Sequence, residues 1–209
     1  MEQIYQEVIK GFQRMTLPDI IAMVFGVISV LCSRRNSVWV YPTGLISTGI
    51  YTYTLAQAHF RLYAESALNA YYFIMSIYGW YNWSRNTTSA GDHVGISVVN
   101  RRELGIAVGI VIIGWGILYM LLHNFSDSDV PALDAFVSAT ACSGMWLLAK
   151  RKIENWIFLN ISNLVAVPLL FYKKYESLAV LTIFLFIVAV DGYFRWRKLY
   201  RQQLNENKP

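Results

Sequence analysis

Ser76-Ile77-Tyr78-Gly79-Trp80-Tyr81-Asn82-Trp83-Ser84 is an uncharged, aromatic-loaded run with one glycine inside it. A weaker copy lies near the C-terminus, Asp191-Gly192-Tyr193-Phe194-Arg195-Trp196. In both, a glycine is followed by two aromatics and, at the fourth place, by a tryptophan. A glycine in a membrane helix admits a neighbouring backbone or ring at short range. An indole combines an apolar body with one donor, which suits a membrane–water interface or a stacking wall. The two copies predict two halves of one design.

Composition agrees with a membrane chain. Hydrophobic residues make up 56% of 209 and charged residues 15%, where a soluble domain carries about 25% charged. Seven Trp and fourteen Tyr fit interfacial belts and an aromatic-lined cavity. Cys32 and Cys142 fall inside apolar segments with no CxxC or His/Cys cluster, so neither a disulfide nor a metal site is expected. The first fifteen residues carry Glu2, Glu7, Lys10 and Arg14 and do not read as a cleavable signal peptide. The net charge of +5 does not point to nucleic acid, because the bases cluster between apolar segments, the pattern that orients membrane helices.

Spans of about 20 apolar residues divide the chain into seven helices. They are expected at Pro18–Ser33, Val38–Ala58, Tyr63–Ser84, Leu104–Phe125, Leu133–Ala149, Ile153–Tyr172 and Tyr175–Phe194, with a basic tail from Arg195 to Pro209. A polar stretch from Arg85 to Glu103, and a turn through Asp127, Ser128, Asp129 and Pro131, separate the middle helices. With the N-terminus outside, 13 of the 18 Lys and Arg lie on the inner side and 5 on the outer. The positive-inside rule then predicts N-out, C-in.

The halves match beyond their glycines. Asp19 and Asp134 open them, Arg34-Arg35 and Lys150-Arg151-Lys152 close their first helices, and Trp39 and Trp156 start their second. The expected organisation is one all-α membrane domain: repeat 1 over about 16–85, a linker helix over about 104–125, and repeat 2 over about 131–197. An odd linker makes the repeats parallel, and transporters built this way bind substrate near mid-membrane, between the repeats.

No catalytic constellation is present. His59, His93 and His123 lie in different segments, there is no phosphate loop or nucleophile elbow, and the sequon at Asn86 is a common chance match. Enzyme chemistry is therefore not expected, and no cofactor or metal is called for. The candidate site residues are polar or aromatic ones inside spans. Asn69, Tyr72, Ser76, Trp80 and Trp83 share one helical face; Trp156, Asn160 and Asn163 form a second stripe. Either stripe could pack against a sister helix, but Trp80, Trp83, Trp156, Asn160, Asn163 and Asn69 are expected to line one substrate cavity between the third and sixth helices, with Tyr72 and Ser76 near it. Asp191, an acid late in the last span, is a functional suspect, with an ion pair to Arg195 as the alternative. Glu154 reads as stabilising a helix N-terminus. A membrane scaffold is a further reading, but it has no need of two matched polar stripes.

At these residues the chain resembles the PnuC family of bacterial vitamin transporters. The matching pieces are Ile77 to Trp83, Leu62-Tyr63-Ala64, Arg151 to Trp156, and the glycine before Trp196. The resemblance covers about residues 16–200. It implies a seven-helix, three-plus-one-plus-three fold like a sugar-efflux (SWEET) transporter in the bacterial inner membrane. It also implies facilitated diffusion of nicotinamide riboside, trapping by a cytoplasmic kinase, and a homotrimer. The family's sixth-helix motif, Trp-x-x-Trp-x-x-x-Asn, reads Trp156, Leu159 and Asn163 here. Its third-helix glutamine is Asn69, its Gly-Leu-Ile-Asn is Gly44-Leu45-Ile46-Ser47, and Asp191 stands where asparagine is common. These departures leave room for another cationic aromatic such as thiamine, which suits indole stacking equally. Leu159, smaller than tryptophan, is expected to leave space in the cavity.

Overall fold

The computed structural model describes Ile9, Gln13 and residues 15–57, 63–85, 95–126 and 128–206. The N-terminal charges up to Arg14, Leu62, the Asn86 sequon, His59, His93 and Asp127 lie outside those residues. Seven helices follow in order: α1 (Leu17–Arg34), α2 (Val40–Ala56), α3 (Tyr63–Arg85), α4 (Arg101–Phe125), α5 (Pro131–Ala149), α6 (Asn155–Tyr172) and α7 (Glu176–Glu206). Five of them, α1 and α4 to α7, are long and apolar enough to cross a membrane. The phenols and indoles of α3 lower its hydropathy, and α2 has only 17 residues.

Local chemistry sets the starts. Asp19 accepts from the Thr16 backbone N–H at 3.0 Å, and Pro18 sits in the first turn of α1. Asn100 and Glu103 form a reciprocal capping box on α4, at 2.8 and 3.1 Å. Glu154 does not cap α6. Its carboxylate instead accepts from the Val99 N–H at 3.0 Å, because a strap over residues 95–100 runs beside the α5–α6 turn. Ser97 donates to the Arg151 carbonyl at 3.1 Å and accepts from Ile153 N–H at 3.0 Å. Nor does α7 stop at the membrane edge: it continues through most of the expected tail to Glu206.

Packing places α2 between α1 and α3, and α6 between α5 and α7. Because α3 also packs on α5 and α7 on α1, these six helices close a ring. α4 lies outside it, mainly against α5. The outer surface is apolar, with Ile74, Ile77, Ile112, Ile113, Ile117, Met120 and Ile187 exposed. An apolar face of this extent is at home in hydrocarbon.

The α1–α2 and α5–α6 turns are backbone copies shifted by 115 residues (36 against 151). Asn36 and Arg151 both adopt a left-handed conformation, φ 55° and 53°. Each donates its N–H to a carbonyl at the preceding helix end, Ser33 and Leu148, at 2.9 Å. The following residues, Ser37 and Lys152, bond back to Cys32 and Leu147 at 2.9 and 3.0 Å. In this register Trp39 matches Glu154, and both are N-cap residues. The expected pairing of Trp39 with Trp156 therefore does not hold: Trp39 is 67% exposed, and Tyr41 stands where Trp156 does.

Candidate functional site

The buried core concentrates at the basic end of the ring. Val40, Tyr41, Trp83, Ile96, Leu148, Ile153, Trp156, Ala189 and Trp196 form one cluster there. The two Gly-x-x-x-Trp stretches build its centre. A Cβ on Gly79 would overlap the Tyr41 ring, and one on Gly192 would sit 2.8 Å from the Trp156 ring. Each glycine thus seats an aromatic from the neighbouring helix. That aromatic meets the tryptophan four places on, edge to face: Tyr41 with Trp83 at 5.0 Å and 89°, Trp156 with Trp196 at 5.6 Å and 90°.

The tryptophans then bond across the ring. Trp83 Nε1 of α3 donates to the Leu148 carbonyl of α5 at 3.3 Å, and Trp196 Nε1 of α7 donates to the Ser33 carbonyl of α1 at 3.0 Å. A helix end has carbonyls without helical partners, and the two indoles satisfy the equivalent one at each site. Arg151 adds an element that the other turn lacks. Its guanidinium lies over the Trp83 ring at 3.9 Å, buried. Burial lowers its pKa to about 10, partly offset by the Tyr41 phenol.

The expected site residues divide into those turned inward and those turned elsewhere. On α3 the exposed stripe runs through Ile74, Ile77, Tyr78 and Tyr81. At 100° per residue, Asn69, Tyr72, Ser76 and Trp83 lie on the opposite side. Ser76 and Trp83 are buried, while Asn69 and Tyr72 are half-buried. Trp80 sits at the edge of the outer stripe, 42% exposed. On α6, Trp156 is buried and Asn163 half-buried, whereas Asn160 lines a 300 Å³ apolar groove open between α6 and α7. α3 and α6 do not meet as neighbours, since α5 packs between them; their stripes come together only through Trp196, which touches Trp83 and Trp156.

Two further expectations change. Asp191 pairs with Arg34 of α1 rather than with Arg195, because the α1–α7 contact brings an opposite charge from across the ring. Leu159 does not border free space: its side chain fills the notch at Gly144 of α5, where a Cβ would meet it at 2.9 Å. Sequence reasoning passed over Tyr41, Trp196 and Arg151 as site members. The signal for Trp196 was the repeated Gly-x-x-x-Trp spacing. For Tyr41 and Arg151 it lay in the turn register, which shows only once the left-handed residues are aligned.

Nothing here resembles a catalytic site, and among the described residues no three His, Cys, Asp or Glu converge for a metal ion. A ring of apolar-backed helices with a polar, aromatic inner face suits a multi-pass membrane protein. Residues 16–198 match the family described as nicotinamide mononucleotide transporter, and the chain belongs to that family. It is similar to the riboflavin/roseoflavin transporter RibM of Streptomyces davaonensis, 26% identical over 78% of this chain and 76% of that one. It is also similar to the nicotinamide riboside transporters PnuC of Neisseria mucosa, 24% over 87% and 72%, and of Escherichia coli, 20% over 88% and 87%. The crystal structure of the vitamin B3 transporter PnuC superposes with a TM-score of 0.71 at 20% identity, covering 95% of this chain and 90% of that one. These relatives are membrane transporters and not enzymes.

Proposed function

We propose that the chain conducts a flat, vitamin-type aromatic compound through the interior of the six-helix ring, by facilitated diffusion. Nicotinamide riboside is the first substrate, with a cytoplasmic kinase trapping it by phosphorylation. The observation that carries this reading is the inward face of α3. There an amide, a phenol, a hydroxyl and an indole (Asn69, Tyr72, Ser76, Trp83) turn away from the lipid-facing stripe. Trp156, Asn160 and Asn163 of α6 complete the set. The half-buried Tyr72 ring stacks on the heterocycle and the amides read its polar edge, with Trp83 and Trp156 packed behind them as a buried wall. Trp80 sits at the edge of the lipid-facing stripe and Asp191 pairs with Arg34, so these two stand outside the proposed set, while Asn160, half-buried with its amide oxygen enclosed, stays in it beside Asn163.

The likeness to RibM supports a second substrate, a riboflavin-type ring, and thiamine is a third. The matched turns and reciprocal indole bonds support a parallel three-plus-one-plus-three repeat, and a homotrimer is the assembly that the proposal adds. The basic end then faces the cytoplasm, with the N-terminus outside and the C-terminus inside. The test is uptake into proteoliposomes of radiolabelled nicotinamide riboside, with unlabelled riboflavin and thiamine as competitors. Uptake that only nicotinamide riboside competes supports the first reading; stronger competition by riboflavin moves the assignment to the second. Accumulation above the outside level, driven by an imposed ion gradient, would overturn facilitated diffusion.

A further inference from the structure

We propose that the ring opens toward the cytoplasm by parting α1 from α7, with the α3–α5 seam staying shut as the hinge. This rests on the transport reading above. The two halves of the ring meet along two seams, and the seams are not equal.

The α3–α5 seam is bonded over several turns. Tyr71 donates its hydroxyl to the Cys142 carbonyl at 3.1 Å, Asn82 its amide to the Ala149 carbonyl at 2.9 Å, and Trp83 its indole to the Leu148 carbonyl at 3.3 Å. Arg151 stacks on Trp83 from the α5 side at 3.9 Å. The strap adds more. Its residues 95–100 pair with the α5–α6 turn through Ser97, bury Ile96 in the aromatic cluster, and lead into α4. Lys152 ties the turn to Glu103 at 2.8 Å, and α4 itself packs against both α3 and α5. Parting this seam means breaking buried bonds at several depths together.

Among the described residues, two bonded side-chain links hold the α1–α7 seam near its basic end: Trp196 to the Ser33 carbonyl at 3.0 Å, and Arg34 with Asp191. The ion pair is a third to a half exposed, so water replaces it at little cost. Among the described residues, no segment pairs with the α1–α2 turn as residues 95–100 pair with the α5–α6 turn. Trp196 keeps its edge-to-face contact with Trp156 on its own half, so it can swing away with α6 and α7 as a unit, giving up its looser, tilted contact with Trp83 at 6.1 Å. Hinge closures use a few such retained contacts while a weaker interface gives way.

The test uses the full-length protein with Cys32 and Cys142 replaced by serine. One variant carries Arg34→Cys with Asp191→Cys, and the other Asn82→Cys with Ala149→Cys. Each is bridged by a short bifunctional thiol reagent that a reductant removes, and each is compared with its own uptake before bridging. The substrate is whichever of nicotinamide riboside, riboflavin or thiamine the unmodified protein takes up. Bridging α1 to α7 is expected to cut uptake about tenfold or more, reversibly, and bridging α3 to α5 to leave it within about twofold. Full uptake across the first bridge, or loss across the second, overturns the proposal.

A second measurement does not need transport. A membrane-impermeant maleimide applied from the basic side should modify Ser33→Cys several-fold faster than Leu148→Cys. Equal or reversed rates overturn the proposal. If none of the three vitamins is taken up while that labelling difference persists, the transport reading fails and the seam assignment stands.

Discussion

The α1–α2 turn and the α5–α6 turn have one backbone and two chemistries. Both pass through a left-handed residue and close the preceding helix with the same bonds. Yet Asn36 occupies that position in one and a buried arginine in the other. Arginine has no intrinsic liking for positive φ, so the strain at Arg151 persists because its guanidinium gains the Trp83 face. The seams differ to match: an indole, an amide and a stacked cation hold α3 to α5, whereas an indole and a solvated ion pair hold α1 to α7. A repeated backbone can thus carry unequal halves, with side chains and one strap deciding which seam gives way.

The comparison breaks most severely at the glycines. Gly192→Val should have a larger effect than the changes that follow, since its Cβ would lie 2.8 Å from the Trp156 ring. Overpacking of this kind costs about 1–3 kcal/mol, occasionally more. The expected result is a lower unfolding temperature in detergent, partly recovered by Trp156→Leu; no recovery would mean that the clash lies elsewhere. Arg151→Ala comes next. It removes a desolvated cation–π contact, worth about 2 kcal/mol, and leaves a Cβ at positive φ. Arg151→Gly loses the same contact but relieves roughly 1 kcal/mol of left-handed strain, so it should melt above Arg151→Ala. The same two changes at Asn36 should differ far less from wild type.

Trp83→Phe and Trp196→Phe keep a six-membered aromatic ring but remove the N–H donor and the pyrrole part of the indole. The lost bond alone costs about 0.5–1.5 kcal/mol and the cavity adds to it, read by thermal unfolding, with Trp83→Phe the worse because Arg151 also loses its indole. Glu103 sharpens the contrast least. Burial opposes its charge, but Lys152 and the Asn100 N–H outweigh that and hold its pKa below the usual value. A depressed carboxyl contributes stability that is present above its unfolded pKa, about 4.3. That stability is lost as pH falls through the lower folded value. Melting from pH 7 down to 3 should therefore show a shallower acid limb for Glu103→Gln than for wild type.

The helix count, the basic clusters between helices and the two Gly-x-x-x-Trp stretches were legible in the chain. Each depends on residues close in sequence: apolar length, charge at helix ends, and the spacing that stacks a glycine and an indole on one face. The inward face of α3 was legible for the same reason, apart from Trp80 at its edge. What could not be read was which face meets which. Asp191 had a local partner at i+4, yet a cation 157 residues away took it. Tyr41 rather than Trp39 opposes Gly79, because the left-handed Asn36 sets where α2 begins. Leu159 lies against Gly144 instead of an open cavity. Periodicity along one helix defines its faces, but the order of helices around the ring is set by packing among all six. That order put α5 between α3 and α6, and it gave the molecule one strapped seam and one free to part.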